Sequence, residues 1–295
     1  MALLAASTLP AMAQPTVTPQ TPEQDQILEA ISQGIAEDIQ TKEDLKAVRF
    51  VCRKKKRKSE LIRDVAATYS NLSSTERRIV GGQSGYSRIV RTAINDLCKS
   101  VQRCKQVDSA VWMTESTAYV ALRLQNRKPG VTYSRSVVRL IGSDGKTVNG
   151  STTLTGIINS KSSRYLTAAI DLTPEGAKDL TLEAVTVCST NRNKSRVISA
   201  GVQPASGEDC STASSQACGN LLFDVPAGWE VPSYSNVHMP IFDAGGALIG
   251  GCKTTTSEVM TGGFVTPVEY LGWSCPSTES LPVGWRVEAT TFIEK

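Results

Sequence analysis

The sequence predicts a mixed α and β fold made of several domains, and three observations support this fold class. Apolar residues recur at helical spacing up to about residue 106 and alternate with polar residues after it. Pairs of glycines and turn-forming residues punctuate the last quarter of the chain. The 295 residues suffice for about two domains. The changes of pattern divide them further, into an N-terminal helical domain, a central β-sandwich and a C-terminal Gly-rich all-β domain.

Residues 1–13 are expected to be a signal peptide-like leader. They carry no charge and end in Ala11-Met12-Ala13, with small residues at the positions that signal peptidase reads. The basic start of a signal peptide is missing, so a start site placed too far downstream, or an apolar tail of another kind, is the alternative. Residues 14–21 form a Pro-, Thr- and Gln-rich linker that offers little for core packing.

Residues 22–106 are predicted to form a small basic domain of three or four helices. An isoleucine stripe at helical spacing opens it, with members at Ile27, Ile31, Ile35 and Ile39. The sequence from Ser73 to Glu76 has the form of a capping box, which marks the start of a further helix. After the break at Gly81-Gly82, an apolar stripe that runs to Val101 predicts a last helix.

Residues 107–203 are predicted to form a β-sandwich of immunoglobulin or fibronectin type. Five stretches alternate apolar and polar residues at the strand period: 117–124, 132–141, 164–170, 180–188 and 196–202. Asp144-Gly145 is a hairpin turn signal after the second of them. No Cys–Trp–Cys spacing indicates an antibody-like domain, so the assignment depends on the strand pattern alone.

The C-terminal region combines a linker, residues 204–219, with a Gly-rich β domain, residues 220–295. The domain repeats one short sequence: Val225–Val231 reads VPAGWEV, and Leu281–Val287 reads LPVGWRV. In each copy a proline fixes φ and a glycine supplies a positive φ, so we expect a turn that leads a tryptophan into a strand. The two copies suggest a duplicated hairpin.

Eight cysteines, an even number without a C-x-x-C pair, predict disulfides rather than a zinc site. They are Cys52, Cys98, Cys104, Cys188, Cys210, Cys218, Cys252 and Cys275. Disulfides form in oxidising compartments, so we expect a periplasmic or secreted protein. Proximity in the sequence favours the bonds Cys210–Cys218 and Cys252–Cys275.

The other four cysteines need longer connections. Cys98 and Cys104 are expected on one helix, where six residues span about 9 Å, too far for a disulfide. Each of them therefore needs a distant partner, for which Cys52 and Cys188 remain.

The net charge of +4 conceals three segments of very different charge. Residues 14–44 hold seven acids and one base, a charge of −6. Residues 45–105 hold sixteen bases and four acids, a charge of +12, and the rest of the chain carries −2. The helical domain is therefore strongly basic behind an acidic first helix.

Six consecutive cations, here called the cation run, lie in this basic region: Arg53, Lys54, Lys55, Lys56, Arg57 and Lys58. Their side chains would point all around a helix, so the run cannot bury a face and must be an exposed helix end or a loop. The structural interpretation is a solvated run, partly neutralised by the acidic helix. The functional interpretation is a polyanion-binding site for lipid phosphates, lipopolysaccharide or glycans. Nucleic acid is disfavoured, because only Phe50 and Tyr69 lie nearby to stack on bases.

Trp229, Trp273 and Trp285 are the candidate partner- or glycan-binding residues of the last domain, with Tyr234 and Tyr270 near them in the sequence. Tryptophans on strands usually pack in a core. The alternative is a platform on which sugar rings or a partner surface would stack.

Enzyme motifs are weak throughout the chain. Arg78–Gly82 resembles the activation site of trypsin-like serine proteases, but that family needs a histidine shortly downstream and a GDSGG sequence, which this chain lacks. The single histidine, His238, excludes sites that need two histidines and is expected at a surface or turn. No spacing of carboxylates selects a catalytic pair, and no phosphate-binding loop occurs. We therefore expect no cofactor and no metal, and assign no catalytic residue.

The leading hypothesis is an exported, non-enzymatic interaction protein of the cell envelope or exterior, without a transmembrane span. Its basic helices would meet an anionic surface (lipid, lipopolysaccharide or glycan) or a protein partner, and its β domains would present a binding face. One alternative is a secreted hydrolase that uses carboxylates or His238. Another is a structural subunit of a virion or surface assembly, because a basic segment followed by β domains also fits coat proteins.

Overall fold

The computed structural model shows a mixed fold of helices and antiparallel sheets, as the sequence predicts. It describes residues 21–101, 104–172, 180–190, 194–204, 219–256, 258–261, 265–268 and 281–295. The expected leader and nearly all of the two expected linkers lie outside these residues. None of the described helices is long and apolar enough to cross a membrane.

Five α-helices and one short 3-10 helix make up the described N-terminal part. The α-helices are α1 (Pro22–Glu37), α2 (Lys42–Arg53), α3 (Lys55–Ala66), α4 (Ser74–Ile79) and α5 (Gly82–Ser100), and the 3-10 helix is Ala67–Asn71. The predicted capping box is present at α4, where the Ser73 hydroxyl accepts the Glu76 N–H and the Glu76 carboxylate accepts the Ser73 N–H. Gly81 separates α4 from α5 with a φ of 71°, which glycine adopts at low cost.

Helix α5 is the centre of the helical region. Its predicted stripe is at most 5% exposed, and comprises Tyr86, Ile89, Val90, Ala93, Ile94, Leu97 and Val101. The isoleucine stripe of α1 and the apolar face of α3 pack against it. A second cluster joins the end of α5 to Leu45 of α2 and to two strand valines, Val185 and Val187. The helices therefore rest directly on the β part of the molecule.

Two three-stranded antiparallel sheets share one core and form a β-sandwich. The strand order is β1–β2–β5 in the first sheet and β4–β3–β6 in the second. The strands are β1 (Cys104–Met113), β2 (Thr117–Asn126), β3 (Thr132–Ile141), β4 (Thr147–Ile158), β5 (Ser163–Asp171) and β6 (Thr181–Thr190). Their shared core consists of apolar residues of β2, β3, β4 and β5. Gly145 has a φ of 77° in the β3–β4 hairpin, where the sequence predicts the turn.

A third sheet of nine described strands holds the C-terminal part of the chain. The strands are β7 (Ser195–Pro204), β8 (Gly219–Asp224), β9 (Glu230–Val231), β10 (Asn236–Phe242), β11 (Leu248–Thr255), β12 (Met260–Thr261), β13 (Val265–Val268), β14 (Arg286–Val287) and β15 (Ala289–Glu294). The sequence assigns 196–202 to the sandwich, but β7 pairs with β15 and β8 inside this sheet. The strand period determines which residues face a core, and it does not select the neighbouring strand.

The third sheet packs tightly on the sheet β1–β2–β5. Gly250 and Gly251 of β11 make the close approach possible. A Cβ atom on Gly250 would lie 2.7 Å from the Cβ of Trp112, and one on Gly251 would overlap Thr167. Strand β2 is therefore covered on both faces, and its central residue Ala121 is fully buried.

Two disulfides join separate elements of the described chain. Cys52–Cys98 links α2 to α5, and Cys104–Cys188 links β1 to β6 and so ties the two sandwich sheets together. Cys98 and Cys104 thus each have a distant partner, as the sequence predicts. The expectation that they share a helix is wrong, because the apolar stripe of α5 ends at Val101 and Cys104 already pairs with β2.

Cys252 is disulfide-bonded as well. The partner that the sequence favours, Cys275, lies outside the described residues, as does the expected bond Cys210–Cys218. Every cysteine that the structure describes is therefore oxidised, the state that an oxidising compartment produces.

Candidate polyanion-binding site

The cation run lies at the junction of α2 and α3. Arg53 ends α2, Lys54 has an extended backbone with φ −106° and ψ 107°, and Lys55 begins α3. The first five residues of the run are exposed and Lys58 is half-buried. The turn between the two helices therefore concentrates the charges at one exposed corner, one of the two placements that the sequence allows.

Two contacts hold this corner against the end of α5. The Cys52–Cys98 disulfide lies one residue before the run. The Arg49 guanidinium donates to the Val101 carbonyl, with N···O distances of 3.3 and 3.4 Å. The backbone of the run is thus anchored at its base, while the side chains of its first five residues are exposed to solvent.

Few of these charges are neutralised within the described residues. Arg57 forms an ion pair with Glu60 at 3.1 Å, and the other five cations of the run form no ion pair in the part of the chain that the structure describes. The Arg57–Glu60 pair is weak, because solvent screens charges at a surface. Among the side chains that the structure describes, no ion pair joins the run to α1.

The N-terminus of α3 adds to the positive potential of the corner. Lys54 occupies the N-cap position without a side-chain hydrogen bond to the helix, and the first turn contains no acid. The positive end of the helix dipole and its free N–H groups therefore coincide with the cations. Helix α2, by contrast, has Glu43 and Asp44 in its first turn. The concentration of positive charge at the start of α3 is unfavourable in the free protein. A bound anion would stabilise it.

Such a corner can bind anions through several simultaneous contacts. Lysine ammonium groups act as point charges, and arginine guanidinium groups act as forks for phosphate, sulfate or carboxylate oxygens. Protonated lysine and arginine supply no nucleophile and no general base at neutral pH. The run therefore offers groups that form ion pairs and hydrogen bonds with anions.

Two buried residues with basic side chains lie where β5 meets the third sheet. His238 of β10 and Arg164 of β5 are 1% and 3% exposed. The His238 Nδ1 atom accepts the Thr167 N–H at 3.0 Å, and its Nε2 atom lies 3.2 Å from the Thr155 carbonyl oxygen. These partners select the neutral tautomer with its proton on Nε2. Burial, and then the charge of Arg164, hold the pKa of His238 well below its usual value.

Arg164 is bonded to carbonyl and hydroxyl oxygens. Its Nη1 donates to the Ile157 carbonyl at 2.9 Å, its Nη2 to the Thr290 carbonyl at 3.2 Å, and its Nε to the Thr290 hydroxyl at 3.4 Å. Burial lowers the pKa of this guanidinium to about 9, so it stays protonated at neutral pH. The cation therefore joins β4, β5 and β15 at one point.

The expectation that His238 lies at a surface or turn is wrong. Position 238 lies inside a buried strand, and Val237 and Met239 on either side are fully buried. Pro240 suggests a turn in the sequence, but it lies within β10 opposite Gly251. An imidazole that is enclosed and bonded to two backbone groups is not placed to act on a substrate.

The structure brings two carboxylates of the last domain together. Glu230 and Glu294 are opposite each other where β9 pairs with β15, at one end of the third sheet. A shallow cavity between β7 and β15 is lined by Glu288, whose carboxylate is held by Arg286 at 2.7 Å. In the described part of the chain, no three His, Cys, Asp or Glu side chains converge as a metal site requires. No catalytic arrangement emerges from these residues.

The structure separates the predicted tryptophans. Trp229 and Trp285 are half-buried against the core of the third sheet. Each follows a turn in which its N–H donates to the Pro carbonyl three residues earlier, at 3.0 and 3.2 Å, so the predicted turn forms twice. The two turns lie at opposite ends of the β14–β15 path, roughly 25 Å apart, and do not build one platform. Trp273 and Tyr270 lie outside the described residues.

The burial of Arg164 and the exposure of Phe50 were not predicted from the sequence. Arg164 is in phase with the buried Leu166 and Ala168 of β5, and this strand period was the available signal. Phe50 is 55% exposed, because it lies outside the stripe of α2 that includes Leu45 and packs on α5. An aromatic residue out of phase with its helix was the second signal.

Comparison with known proteins adds little to this geometry. No family model and no curated protein matches the chain. Among solved structures, the crystal structure of red sea bream transglutaminase is similar at 8% identity, with a TM-score of 0.19. The match covers 72% of this chain and 29% of that chain, so it spans less than a third of the transglutaminase. A likeness this slight carries no argument about fold or function.

Proposed function

We propose that this chain is an exported, disulfide-bonded, non-enzymatic binding protein of the cell envelope or the extracellular space. It contacts polyanionic surfaces through the cation run, Arg53–Lys58. One observation carries the proposal: Arg53, Lys54, Lys55 and Lys56 are all exposed and without an ion pair among the described residues, at a corner anchored by a disulfide.

The electrostatics of the corner favour a polyanion over a simple solvated surface. Like charges within a few ångströms repel one another even in water, and the uncapped start of α3 adds to this repulsion. A surface with many negative groups relieves the repulsion at every cation at once, whereas single small anions relieve it only in part. Binding of this kind weakens as salt screens the charges.

Export is supported by two independent features. The described cysteines are oxidised, which requires an oxidising compartment in most organisms. Residues 1–13 have the composition of a leader and end in an Ala-x-Ala sequence. In this proposal the protein acts in the periplasm or outside the cell.

The β part has a separate role in the proposal. The sandwich is of immunoglobulin or fibronectin type, and the β sheets present a face to a protein partner or glycan. Such contacts would use the tryptophans Trp229, Trp273 and Trp285 as separate sites rather than as one platform. Trp229 and Trp285 are at opposite ends of a strand path.

Retention on immobilised heparin tests the proposed function. The full chain is expected to bind at low salt and to elute as salt rises. Changing all six cations of the run to Gln should abolish retention, because the corner then loses its charge. The matched control changes six exposed cations elsewhere to Gln, which lowers the net charge equally: Lys105, Arg127, Lys128, Lys146, Lys161 and Lys194.

Two outcomes would overturn this function. The first is failure of the full chain to bind heparin at low salt. The second is equal loss of retention in the run variant and the control variant, which would make net charge, rather than the corner, the cause. Circular dichroism of both variants checks that they are folded.

A further inference from the structure

Phe50 is an unusual residue for the helical region, because it exposes an aromatic ring beside the cation run. It is 55% exposed, and the other large exposed apolar side chains among the described residues all lie outside the helices. Those residues are Val107, Tyr133, Tyr234, Val259 and Val283. The helices thus present one large apolar side chain to solvent in the described chain, and it is next to the greatest density of positive charge.

The position of Phe50 follows from the way α2 is packed. The buried side of α2 carries Leu45, Val48 and Cys52, which pack on the end of α5 and on β6. These positions are three and four residues apart, so they form one face. Phe50 lies about 180° around the helix from the middle of this face. The disulfide at Cys52 fixes that rotation, so Phe50 lies on the side of α2 away from α5 and β6.

The outward face of α2 combines this ring with cations. Lys46 precedes Phe50 by four residues and Arg53 follows it by three, so both lie within about 5–6 Å of it at the Cβ atoms. Glu43 is the acid of this face and lies 3.8 Å from the Lys46 ammonium. The extended Lys54 and the start of α3 then continue the positive surface beyond the end of α2.

We propose that the polyanion bound at this corner is the surface of an anionic lipid bilayer, into which Phe50 inserts. This inference rests on the proposed function and specifies its ligand. A hydrated glycan or a free polyphosphate can neutralise the cations but offers no apolar phase to the ring. A bilayer offers both, since its phosphates lie directly above the acyl chains. Cations near an anionic membrane and an aromatic ring at the headgroup level are stabilised together.

The test compares the full chain with variants at Phe50 in two assays. One assay is co-sedimentation with phosphatidylglycerol vesicles, with phosphatidylcholine vesicles as the neutral reference. The other is retention on heparin, which has negative charge but no apolar phase. Phe50→Ser removes the ring, Phe50→Leu keeps an apolar side chain, and Val283→Ser removes an exposed apolar side chain far from the corner.

The expected results distinguish the contribution of the Phe50 ring to binding from that of the cations. Phe50→Ser should weaken binding to phosphatidylglycerol vesicles about tenfold, and leave heparin retention unchanged. Phe50→Leu and Val283→Ser should bind vesicles within about twofold to threefold of the unchanged protein. Changing the six cations of the run to Gln should weaken vesicle binding at least about a hundredfold and abolish heparin retention. The full chain should bind phosphatidylcholine vesicles weakly.

The outcomes distinguish this inference from the proposed function. Heparin retention without vesicle binding, or equal vesicle binding by the full chain and Phe50→Ser, would overturn the lipid inference and leave the proposed function standing. Equal binding to neutral and anionic vesicles would also overturn it. Failure of the full chain to bind heparin at low salt would overturn the proposed function itself, and the lipid inference with it. Phe50→Ser should unfold close to the temperature of the full chain, because more than half of the Phe50 surface is already exposed.

Discussion

The buried Arg164 and the exposed cation run place positive charge in opposite surroundings. Arg164 is buried, and all three nitrogens of its guanidinium group have oxygen partners. The cations of the run are mostly exposed, and five of the six have no ion pair in the described residues. The buried cation therefore serves the fold, whereas the exposed cations are available to a ligand.

This difference shows which surroundings leave a positive charge free to bind an anion. Removing a guanidinium from water costs several kcal/mol unless protein oxygens replace the lost solvent. The strands around Arg164 supply two carbonyls and a hydroxyl, so its bonding capacity is used internally. At the α2–α3 corner, water solvates each cation, and the remaining cost is mutual repulsion. A bound anion removes that repulsion.

The largest effect is expected at the buried cation. Arg164→Ala should lower the free energy of unfolding by about 3–5 kcal/mol, because it removes the hydrogen bonds to Ile157 and Thr290 and opens a cavity. Urea unfolding measures the loss. The exposed Arg127→Ala is the control and should change stability by less than about 0.5 kcal/mol. A similar result for both variants would break the contrast between buried and exposed cations.

The packing that encloses Arg164 and His238 can be disturbed without changing any charge. Gly251→Ala should cost about 1–3 kcal/mol of unfolding free energy, because its Cβ would overlap Thr167, whose N–H is bonded to His238. Gly34→Ala is the opposite case: α1 has open space there, and the change should stabilise the protein by about 0.5–1 kcal/mol. If Gly251→Ala left the free energy of unfolding unchanged, the third sheet would not be tightly packed on the sandwich.

The buried imidazole predicts a specific pH dependence. Because the pKa of His238 is lower in the folded state than its unfolded value of about 6.5, the unfolded chain binds the proton first as pH falls. The stabilisation is complete above about pH 6.5 and decreases below it, with a slope of up to about 1.4 kcal/mol per pH unit towards the folded pKa.

Unfolding experiments between about pH 5 and 6.5 measure this slope, in a range where most carboxylates stay charged. His238→Gln should flatten it, since the chain contains no other histidine. The comparison concerns slopes, because the substitution also changes stability at neutral pH. An unchanged slope would mean that another group titrates in this range.

The smallest effect is expected where charge is exposed. Changing the six cations of the run to Gln should alter the free energy of unfolding by less than about 1 kcal/mol, and should raise it slightly at low salt. The reason is that repulsion disappears and the N-terminus of α3 loses unfavourable cations. Thermal unfolding at low and high salt measures both points. A large loss of stability would show that the run serves the fold, as Arg164 does.

The elements that the sequence predicts are those determined by local patterns. The stripe of α5, the capping box at Ser73 and the turn at Gly145 each follow from residues close together in the chain. The exposure of the cation run follows as simply, because six adjacent cations leave a helix no face to bury. Such features depend on spacing and conformational preference, which a single sequence contains.

The features that could not be predicted depend on contacts between distant residues. Strand β7 has an ordinary strand period, and only its partners β8 and β15 assign it to the third sheet. His238 lies in a sequence with turn-forming residues, and its burial results from β5 packing across β10. The neutralisation of Arg164 depends on Thr290, 126 residues away in the chain. Pairing of this kind leaves no local signature.

The glycines of β11 have a consequence for the cooperativity of unfolding. Their backbone lies directly against Trp112 and Thr167, so at these two positions the third sheet and the sandwich are in direct contact. Neither layer can open by itself without exposing the buried strand β2, so a local fluctuation in one is coupled to the other. Amide hydrogens on the two sides of this contact are therefore released to solvent by the same opening event.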